Sequence, residues 1–251
     1  EFQMLRRIVE RSGRPLSFSL TQHARDPERW KRLLGWLSEA NASGLPMRAQ
    51  VCGRPVGVLL GLELTLHPFS AHPSYKEISK RPFAERAAAL RDPAFQARLL
   101  SEVTRAQRGL VAQIAHSWEQ LFPMQARPDD EPPPEQSIAA LAAQSGKRPE
   151  AVALEHMLSD GGRGMLYLPF LNYADGSLAP SYEMLRHPYT VPGLSDGGAH
   201  VGTICDGSFP TSNLTHWTRD RSRGPTLPLP FMVRQQTRVT AEALGLLDRG
   251  L

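Results

Sequence analysis

The chain has 251 residues, 41% of them hydrophobic, which is enough for one domain with a sizeable buried core. Its 29 basic and 25 acidic residues give a net charge of +4, and the two signs are interspersed, so no basic stripe indicates a nucleic-acid partner. No apolar run is long enough to cross a membrane, and we expect no membrane partner. Two distant cysteines, Cys52 and Cys205, are typical of a reducing compartment, which predicts a cytoplasmic protein.

Hydrophobic periodicity predicts an alternation of helices and strands at the start of the chain: helix 3–12, strand 15–20, a helix from 26 to about 41–44, and strand 47–51. Gly13 is suited to end the first helix, since glycine readily takes the left-handed conformation of a C-terminal cap. Asp26 and Pro27 are suited to begin the second helix as its N-cap and first residue. Strands that alternate with helices are typical of an α/β fold.

Two candidate substrate-binding residues lie near the end of the strand over 47–51. Arg54 is in the loop that follows this strand, and loops at the C-terminal ends of parallel strands carry the active sites of α/β barrels. A guanidinium makes paired hydrogen bonds with a carboxylate, so Arg54 is suited to bind an acidic substrate; a structural ion pair is the alternative. Gln50, inside the strand, is the second candidate for the same pocket.

The helical, polar-rich pattern of residues from about 67 to 160 predicts an insertion between strands, of the kind that covers a pocket. Asp92 and Ser137 have the short polar side chains that begin helices, and a further helix is expected over 149–158. His67 and His72 stand five residues apart in a proline-rich segment, which is a weak metal-binding motif.

The second half of the chain predicts two more strands joined by a helix. The apolar run at 164–171 is typical of a strand that is buried on both faces in a parallel sheet. Asn172 follows that strand and is a third candidate substrate-binding residue. A helix over 180–186 then returns the chain to a short strand that begins at Val191.

The stretch from Val191 to Gly202 concentrates a carboxylate, an imidazole and flexible glycines directly after an apolar strand. Asp196 is the candidate catalytic residue, because acidic residues at strand ends face the mouth of α/β barrels. The glycines allow the backbone to approach a ligand closely. A helix-capping or turn aspartate is the alternative role for Asp196. His200, four residues later, could reach the same pocket.

Several segments of this region together resemble a known family. They are Leu-Ser-Asp-Gly-Gly-Ala-His-Val-Gly at 194–202, Ile-Cys-Asp-Gly-Ser at 204–208, Trp-Thr-Arg-Asp-Arg at 217–221, Val-Arg-Gln-Gln-Thr at 233–237 and Gly-Leu-Leu-Asp-Arg-Gly at 245–250. The sequence resembles the N-acyl-D-amino-acid deacylase group of the metal-dependent amidohydrolase superfamily. The resemblance extends over most of the chain and is most specific from about Asn172 onward.

This resemblance implies a partial (β/α) barrel of the TIM type, with residues 1–251 as the C-terminal portion of an amidohydrolase barrel. It implies hydrolysis of the amide bond in a small-molecule N-acyl amino acid, with zinc or another divalent metal as cofactor. Asp196 would be both a metal ligand and the group that transfers the proton of the attacking water. His200 would orient Asp196 or its loop.

The His-x-His pair that the superfamily carries after its first strand is absent from the sequence. We therefore expect an incomplete metal site and a chain that, by itself, lacks deacylase activity. The alternative is a non-catalytic binding or assembly protein derived from an amidohydrolase. A half-barrel would expose two sheet edges, which predicts association with a partner or a homo-oligomer.

Overall fold

The computed structural model describes residues 1–102, 109–114, 116–194, 202–204 and 206–250. The chain forms two compact units, each assembled from separate stretches of sequence. The first unit contains Glu1–Val56, Phe170–Gly197 and Asp206–Leu251, and the second contains Gly57–Pro169 and Gly198–Cys205.

The described residues form six strands: β1 (Leu16–Leu20), β2 (Met47–Val51), β3 (Val56–Leu60), β4 (Phe122–Pro123), β5 (Leu166–Leu171) and β6 (Thr190–Pro192). The α-helices are α1 (Phe2–Ser12), α2 (Arg29–Ala42), α3 (Pro73–Ile78), α4 (Phe83–Ala89), α5 (Pro93–Ser101), α6 (Gly109–Ile114), α7 (Ile138–Ser145), α8 (Pro149–Leu158), α9 (Ala179–Arg186), α10 (Phe209–Thr215), α11 (Leu229–Arg234) and α12 (Thr240–Ala243). Two π-helical segments, His216–Asp220 and Gln235–Val239, directly follow α10 and α11.

The first unit is built on a parallel sheet with the strand order β1-β2-β6. Ser17 of β1 pairs with Arg48 of β2, and Gln50 of β2 pairs with Val191 of β6. Because successive side chains on a strand point to opposite faces, these four residues share one face of the sheet. All three strands run in the same direction, so their C-terminal ends lie at one edge.

Helices cover the other face of this sheet. Met47, Ala49 and Val51 are fully buried on that face, and α2 and α9 both contact β2. Phe2 of α1 packs edge to face on Phe18 of β1, with ring centroids 5.7 Å apart. Apolar residues at alternate positions of β2 therefore hold the helices, and the polar residues Arg48 and Gln50 lie on the opposite side of the sheet.

The second unit contains a sheet with the strand order β3-β5-β4, together with the helices from α3 to α8. Here β4 pairs antiparallel with β5, through Phe122 opposite Tyr167 and Pro123 opposite Leu166. The side chain of Tyr167 also lies where a side chain at Gly57 of β3 would be, since an added Cβ there would lie 2.4 Å from the Tyr167 ring. A glycine at this position lets the two neighbouring strands approach.

The prediction of an all-parallel setting for strand 164–171 is wrong, because β5 has an antiparallel neighbour. The strand itself, observed at Leu166–Leu171, and the burial of its first four residues are confirmed. A continuous apolar run reports burial and carries no information on the direction of the neighbouring strand.

The predicted start of the second helix is also wrong. The helix begins at Arg29, with Glu28 as its N-cap, instead of at Asp26. The backbone of Asp26 pairs with His23 in an isolated bridge, and its carboxylate accepts a hydrogen bond from Arg32. Asp26 is thus held in a turn before the helix.

The structure is a mixed α/β fold with a parallel sheet, as the sequence predicts. Three expectations stay predictions. They are a partial TIM-type barrel, residues 1–251 as the C-terminal portion of it, and the range 67–160 as an insertion. In the part of the chain that the structure describes, no helix has both the length and the apolar character of a membrane span.

His67 is a fully buried histidine in the second unit. Its Nδ1 accepts a hydrogen bond from the backbone N–H of Phe69 at 3.2 Å, and its ring packs edge to face on Tyr75 with centroids 4.2 Å apart. Its Nε2 has no hydrogen-bond partner among the described residues. Burial, with smaller contributions from the charges of Arg86 and His72, lowers the pKa of His67 to about 3.

This lowered pKa makes the stability of the protein depend on pH. The unfolded chain binds a proton at His67 below about pH 6.5 and the folded chain does so only near pH 3, so stability falls as pH decreases between these values. We expect His67→Phe to flatten that dependence by up to about 1.4 kcal/mol per pH unit. Urea unfolding between pH 7 and pH 4 measures this.

The exposed His116 supplies the control. The variant His116→Phe makes the same substitution at an exposed position and should retain the pH dependence of the natural protein. Equal slopes for the His67 variant and the natural protein would contradict the assignment.

Candidate functional site

The candidate functional site is the edge of the first unit's sheet at which the parallel strands end. The chain leaves β1 towards Gln22, leaves β2 through Cys52, Gly53 and Arg54, and leaves β6 through Gly193. Gly193 stays close to the sheet, because its N–H donates to the carbonyl of Val51 at 2.9 Å. In parallel α/β sheets, this is the edge at which ligands bind.

A reciprocal pair of hydrogen bonds joins Gln22 to Asn172 at this edge. The backbone N–H of Gln22 donates to Asn172 Oδ1 at 2.8 Å, and the backbone N–H of Asn172 donates to the carbonyl of Gln22 at 3.0 Å. The Gln22 side chain extends the contact: its Nε2 donates to Asp175 at 2.7 Å, and its Oε1 accepts from the backbone of Ala174 at 3.1 Å. We name this arrangement the Gln22–Asn172 clasp.

The clasp also reaches β2. Asn172 Nδ2 lies 3.4 Å from the carbonyl oxygen of Cys52, to which it donates. Asn172 is 0% exposed and Gln22 is 1% exposed, so both amides are shielded from water. Buried hydrogen bonds of this kind are costly to break, because each group would be left without a partner. The clasp therefore fixes the ends of β1 and β2 to the segment that follows β5.

Gly53, in the loop after β2, is in close contact with two buried side chains. A Cβ at this position would lie 1.9 Å from Asn213 Oδ1, and Trp217 Nε1 donates a hydrogen bond to the Gly53 carbonyl. Asn213 and Trp217 are each 0% exposed. The loop can pack against α10 and its π-helical continuation only because residue 53 has no side chain.

Arg54 is buried next to this glycine, with 6% of its surface exposed. Its Nη1 donates to the hydroxyl of Ser208 at 2.9 Å, which fixes the guanidinium at the same edge. Of the sequence-predicted residues, Asn172 thus contacts the carbonyl of Cys52 and Arg54 follows Cys52 by two residues, so both lie at this edge.

The strand end at β6 has a strained backbone. Leu194 has φ of 64°, a left-handed conformation that residues other than glycine rarely adopt. Asn172, after β5, has a similar φ of 61°. Left-handed residues of this kind cost about 1–3 kcal/mol and often occur at functional sites. The predicted residues Asp196 and His200 lie outside the described residues.

A hollow of about 320 Å³ lies beside the end of β6 in the first unit. Its lining is mostly apolar: Pro192, Phe209, Pro210, Thr211, Leu214 and Gln236. Gln236 belongs to the second π-helical segment, and π-helical turns frequently occur at functional sites. The hollow is large enough for a short apolar group.

Gln50 occupies a different position from the other predicted residues. It lies on the open face of the sheet, where its Nε2 donates to the hydroxyl of Ser17 at 2.9 Å. Among the described residues, this is the only hydrogen bond of its side chain, and its Oε1 remains available.

The residues that the structure describes do not fit a metal centre. Across 1–102, 109–114, 116–194, 202–204 and 206–250, no group of three or more His, Cys, Asp or Glu side chains is arranged to hold a metal ion. His72 N-caps α3 and His187 follows the last residue of α9, with its Nε2 3.0 Å from the Ser38 hydroxyl. Both positions are structural.

The partners that hold this edge were not predicted from the sequence. Gln22 had a local signal, because it is a polar residue two positions after the end of a strand, as Asn172 is one position after another. Asn213 and Trp217 had none, since they meet Gly53 across about 160 residues of sequence. Only the folded chain brings them together.

Comparison with known proteins gives one family. A family model described as an amidohydrolase family matches residues 1–251. Searches of curated proteins and of solved structures found no match to the chain.

The clasp predicts a distinctive pair of effects at residue 172. We expect Asn172→Ala to lower the free energy of unfolding by about 2–4 kcal/mol, because it leaves the buried Gln22 N–H without an acceptor and strains the left-handed backbone. Asn172→Gly loses the same hydrogen bonds without that strain, and should retain about 1 kcal/mol more stability. Urea unfolding of both variants separates the cost of the lost hydrogen bonds from the cost of the backbone strain.

A loss below about 0.5 kcal/mol in both variants, the size of an ordinary surface substitution, would contradict the clasp. Equal losses in the two variants would contradict the strain at residue 172.

Proposed function

Because the chain belongs to the amidohydrolase family, we propose that it is a hydrolase that cleaves the amide bond of N-acyl amino acids, as the N-acyl-D-amino-acid deacylase group does. The observation that supports this most is the match of the family model over residues 1–251, combined with strand ends that meet at one tightly held edge. A barrel of the TIM type, a cytoplasmic location and self-association are parts of the same proposal.

In this proposal, Asp196 transfers the proton. Its carboxylate removes a proton from water as the water oxygen attacks the carbonyl carbon of the amide. The C–N bond then breaks, and the proton passes to the nitrogen of the leaving amino acid. The products are a carboxylic acid and a free amino acid. His200 orients Asp196 or its loop.

Recognition of the substrate needs one cation and one apolar surface. Arg54 is the proposed partner of the substrate carboxylate, since its guanidinium is held at the strand ends by Ser208. Asn172 is the other proposed contact at this edge, where the contact would compete with the clasp. Gln50, which lies on the open face of the sheet, stays a prediction from the sequence. The apolar hollow beside Pro192 is suited to a short acyl chain.

Members of this family generally bind divalent metals, and zinc is the metal that the resemblance implies. The described residues offer no ligand cluster for it, and Asp196 and His200 lie outside them.

The second candidate function is a non-catalytic binding or assembly protein with an amidohydrolase fold. The observation behind this candidate is that residues 1–251 contain no His-x-His pair, and a His-x-His strand elsewhere in the protein would favour the hydrolase instead. Such a protein would bind an N-acyl amino acid, or a partner, without cleaving it.

An assay of amino-acid release from N-acetyl-D-leucine and N-acetyl-L-leucine, with Zn²⁺ in the buffer, tests the proposal. The missing His-x-His pair predicts no release from the chain by itself. The proposed function instead requires release, which should fall by about 100-fold or more in Asp196→Asn, because the amide retains the size of the side chain and cannot accept the proton. Asp248→Asn is the matched control: Asp248 is an exposed carboxylate paired with Arg249, and its loss should leave the rate unchanged.

Equal rates for Asp196→Asn and the natural protein would contradict the assigned role. Binding of N-acetyl-D-leucine in calorimetry without any release would favour the second candidate. The absence of both binding and release would contradict an N-acyl amino acid as the substrate.

A further inference from the structure

A further cavity of the first unit lies on the open face of its parallel sheet. It has a volume of about 680 Å³, within the range of small-molecule sites. It is lined by both polar and apolar residues: Pro15, Leu16, Ser17, Asn41, Pro46, Arg48, Gln50, Val191, Thr240, Glu242, Ala243, Leu244 and Gly245.

The open face of the parallel sheet forms the floor of this cavity. Ser17, Arg48, Gln50 and Val191 share that face in the register of the strands, and α12 contacts β6 at one side. Polar side chains in the middle of a sheet face are unusual, because this is where a protein normally packs apolar groups. The face is therefore suited to a ligand that carries polar groups of its own.

Arg48 gives the cavity its charge. Its Nη1 donates to Asn41 Oδ1 at 3.2 Å and to the carbonyl of Met47 at 3.3 Å, and its guanidinium lies over the ring of Tyr189, 5.4 Å from the centroid. Nε and Nη2 make no hydrogen bond and no ion pair with the described residues. This leaves the Nε–Nη2 edge, which matches the two oxygens of a carboxylate, available to a ligand.

The one carboxylate in the lining does not neutralise Arg48. Glu242 forms an ion pair with Arg238, four residues earlier in the same helical stretch. The cavity therefore contains one arginine without an acidic partner among the described residues, and its polar neighbours Ser17, Gln50 and Asn41 are neutral. An anion is the ligand that this balance of charge favours.

The remaining walls of the cavity are apolar. Leu244 is 72% exposed, the highest value among the large hydrophobic side chains of the described residues, and it lies in this wall. Leu16, Val191 and Ala243 extend the apolar surface. A ligand with a hydrocarbon portion would cover these side chains and gain from their removal from water.

We propose that this cavity is a second ligand site, which binds a small organic carboxylate through the Nε–Nη2 edge of Arg48 and covers its hydrocarbon part with Leu244 and its apolar neighbours. Arg48 lies three residues before the end of β2, or about 10 Å from the strand ends at 3.3 Å per residue. The proposed carboxylate contact is therefore on a different part of the strand from the candidate catalytic edge, and it does not rest on the proposed hydrolysis.

Calorimetric titration of the full chain with 4-phenylbutanoate tests the proposal, with 4-phenylbutan-1-ol as the uncharged partner. We expect saturable binding of the acid and at least a tenfold weaker affinity for the alcohol. Arg48→Met should weaken binding of the acid at least tenfold, and Arg48→Lys should give an intermediate affinity, since lysine retains the charge and loses the two-pronged contact. Arg7→Met, which removes an exposed arginine outside the cavity, should leave the affinity unchanged.

Leu244→Glu keeps the test valid if the Arg48 variants fold poorly, because Leu244 is exposed and its replacement does not disturb the core. A carboxylate at this position should repel the acid and weaken its binding at least fivefold. Absence of saturable binding by the natural protein overturns the proposal. So does equal affinity for acid and alcohol, or binding that neither Leu244→Glu nor Arg48→Met alters.

Discussion

The arrangement of the first unit depends on the buried hydrogen bonds of the Gln22–Asn172 clasp. Three parallel strands alone do not fix the paths of the segments that leave them, because each strand ends in a loop with no partner in the sheet. The clasp supplies those partners: it joins the end of β1 to the segment after β5, and Asn172 also reaches the carbonyl of Cys52 after β2. The loop that carries Arg54 thus starts from a fixed point.

The two faces of the same sheet have separate roles. Apolar residues at alternate positions of β2 hold the helices, and the polar residues between them form the floor of an open cavity around Arg48. The strand ends, about 10 Å further along, form the edge at which a hydrolase of this family would bind its substrate. One strand therefore contributes to the core, to the cavity and to the candidate catalytic edge.

Local signals in the sequence predicted the elements well where capping and periodicity were decisive. Strand 47–51 and helix 149–158 have their predicted bounds, Gly13 ends α1 in the left-handed conformation, and Ser137 caps α7. The pairing of β5 with β4 and the contacts of Gly53 with Asn213 and Trp217 could not be predicted, because they join residues that are distant in sequence and carry no local pattern. Gln50 was expected in the same pocket as Arg54. Gln50 is a strand residue and points to a face of the sheet, whereas Arg54 is in a loop at the end of the strand. Only the register of the strands shows that the two positions differ.

Amide hydrogen exchange at Gln22 and Asn172 is the most direct measurement of whether the strand ends are fixed. If the clasp holds, both backbone N–H groups exchange as slowly as those of the central strand residues, such as Ala49, since they open only when the unit unfolds. Exchange at the rate of exposed backbone N–H groups that make no hydrogen bond would contradict the account, because the edge would then open independently of the sheet.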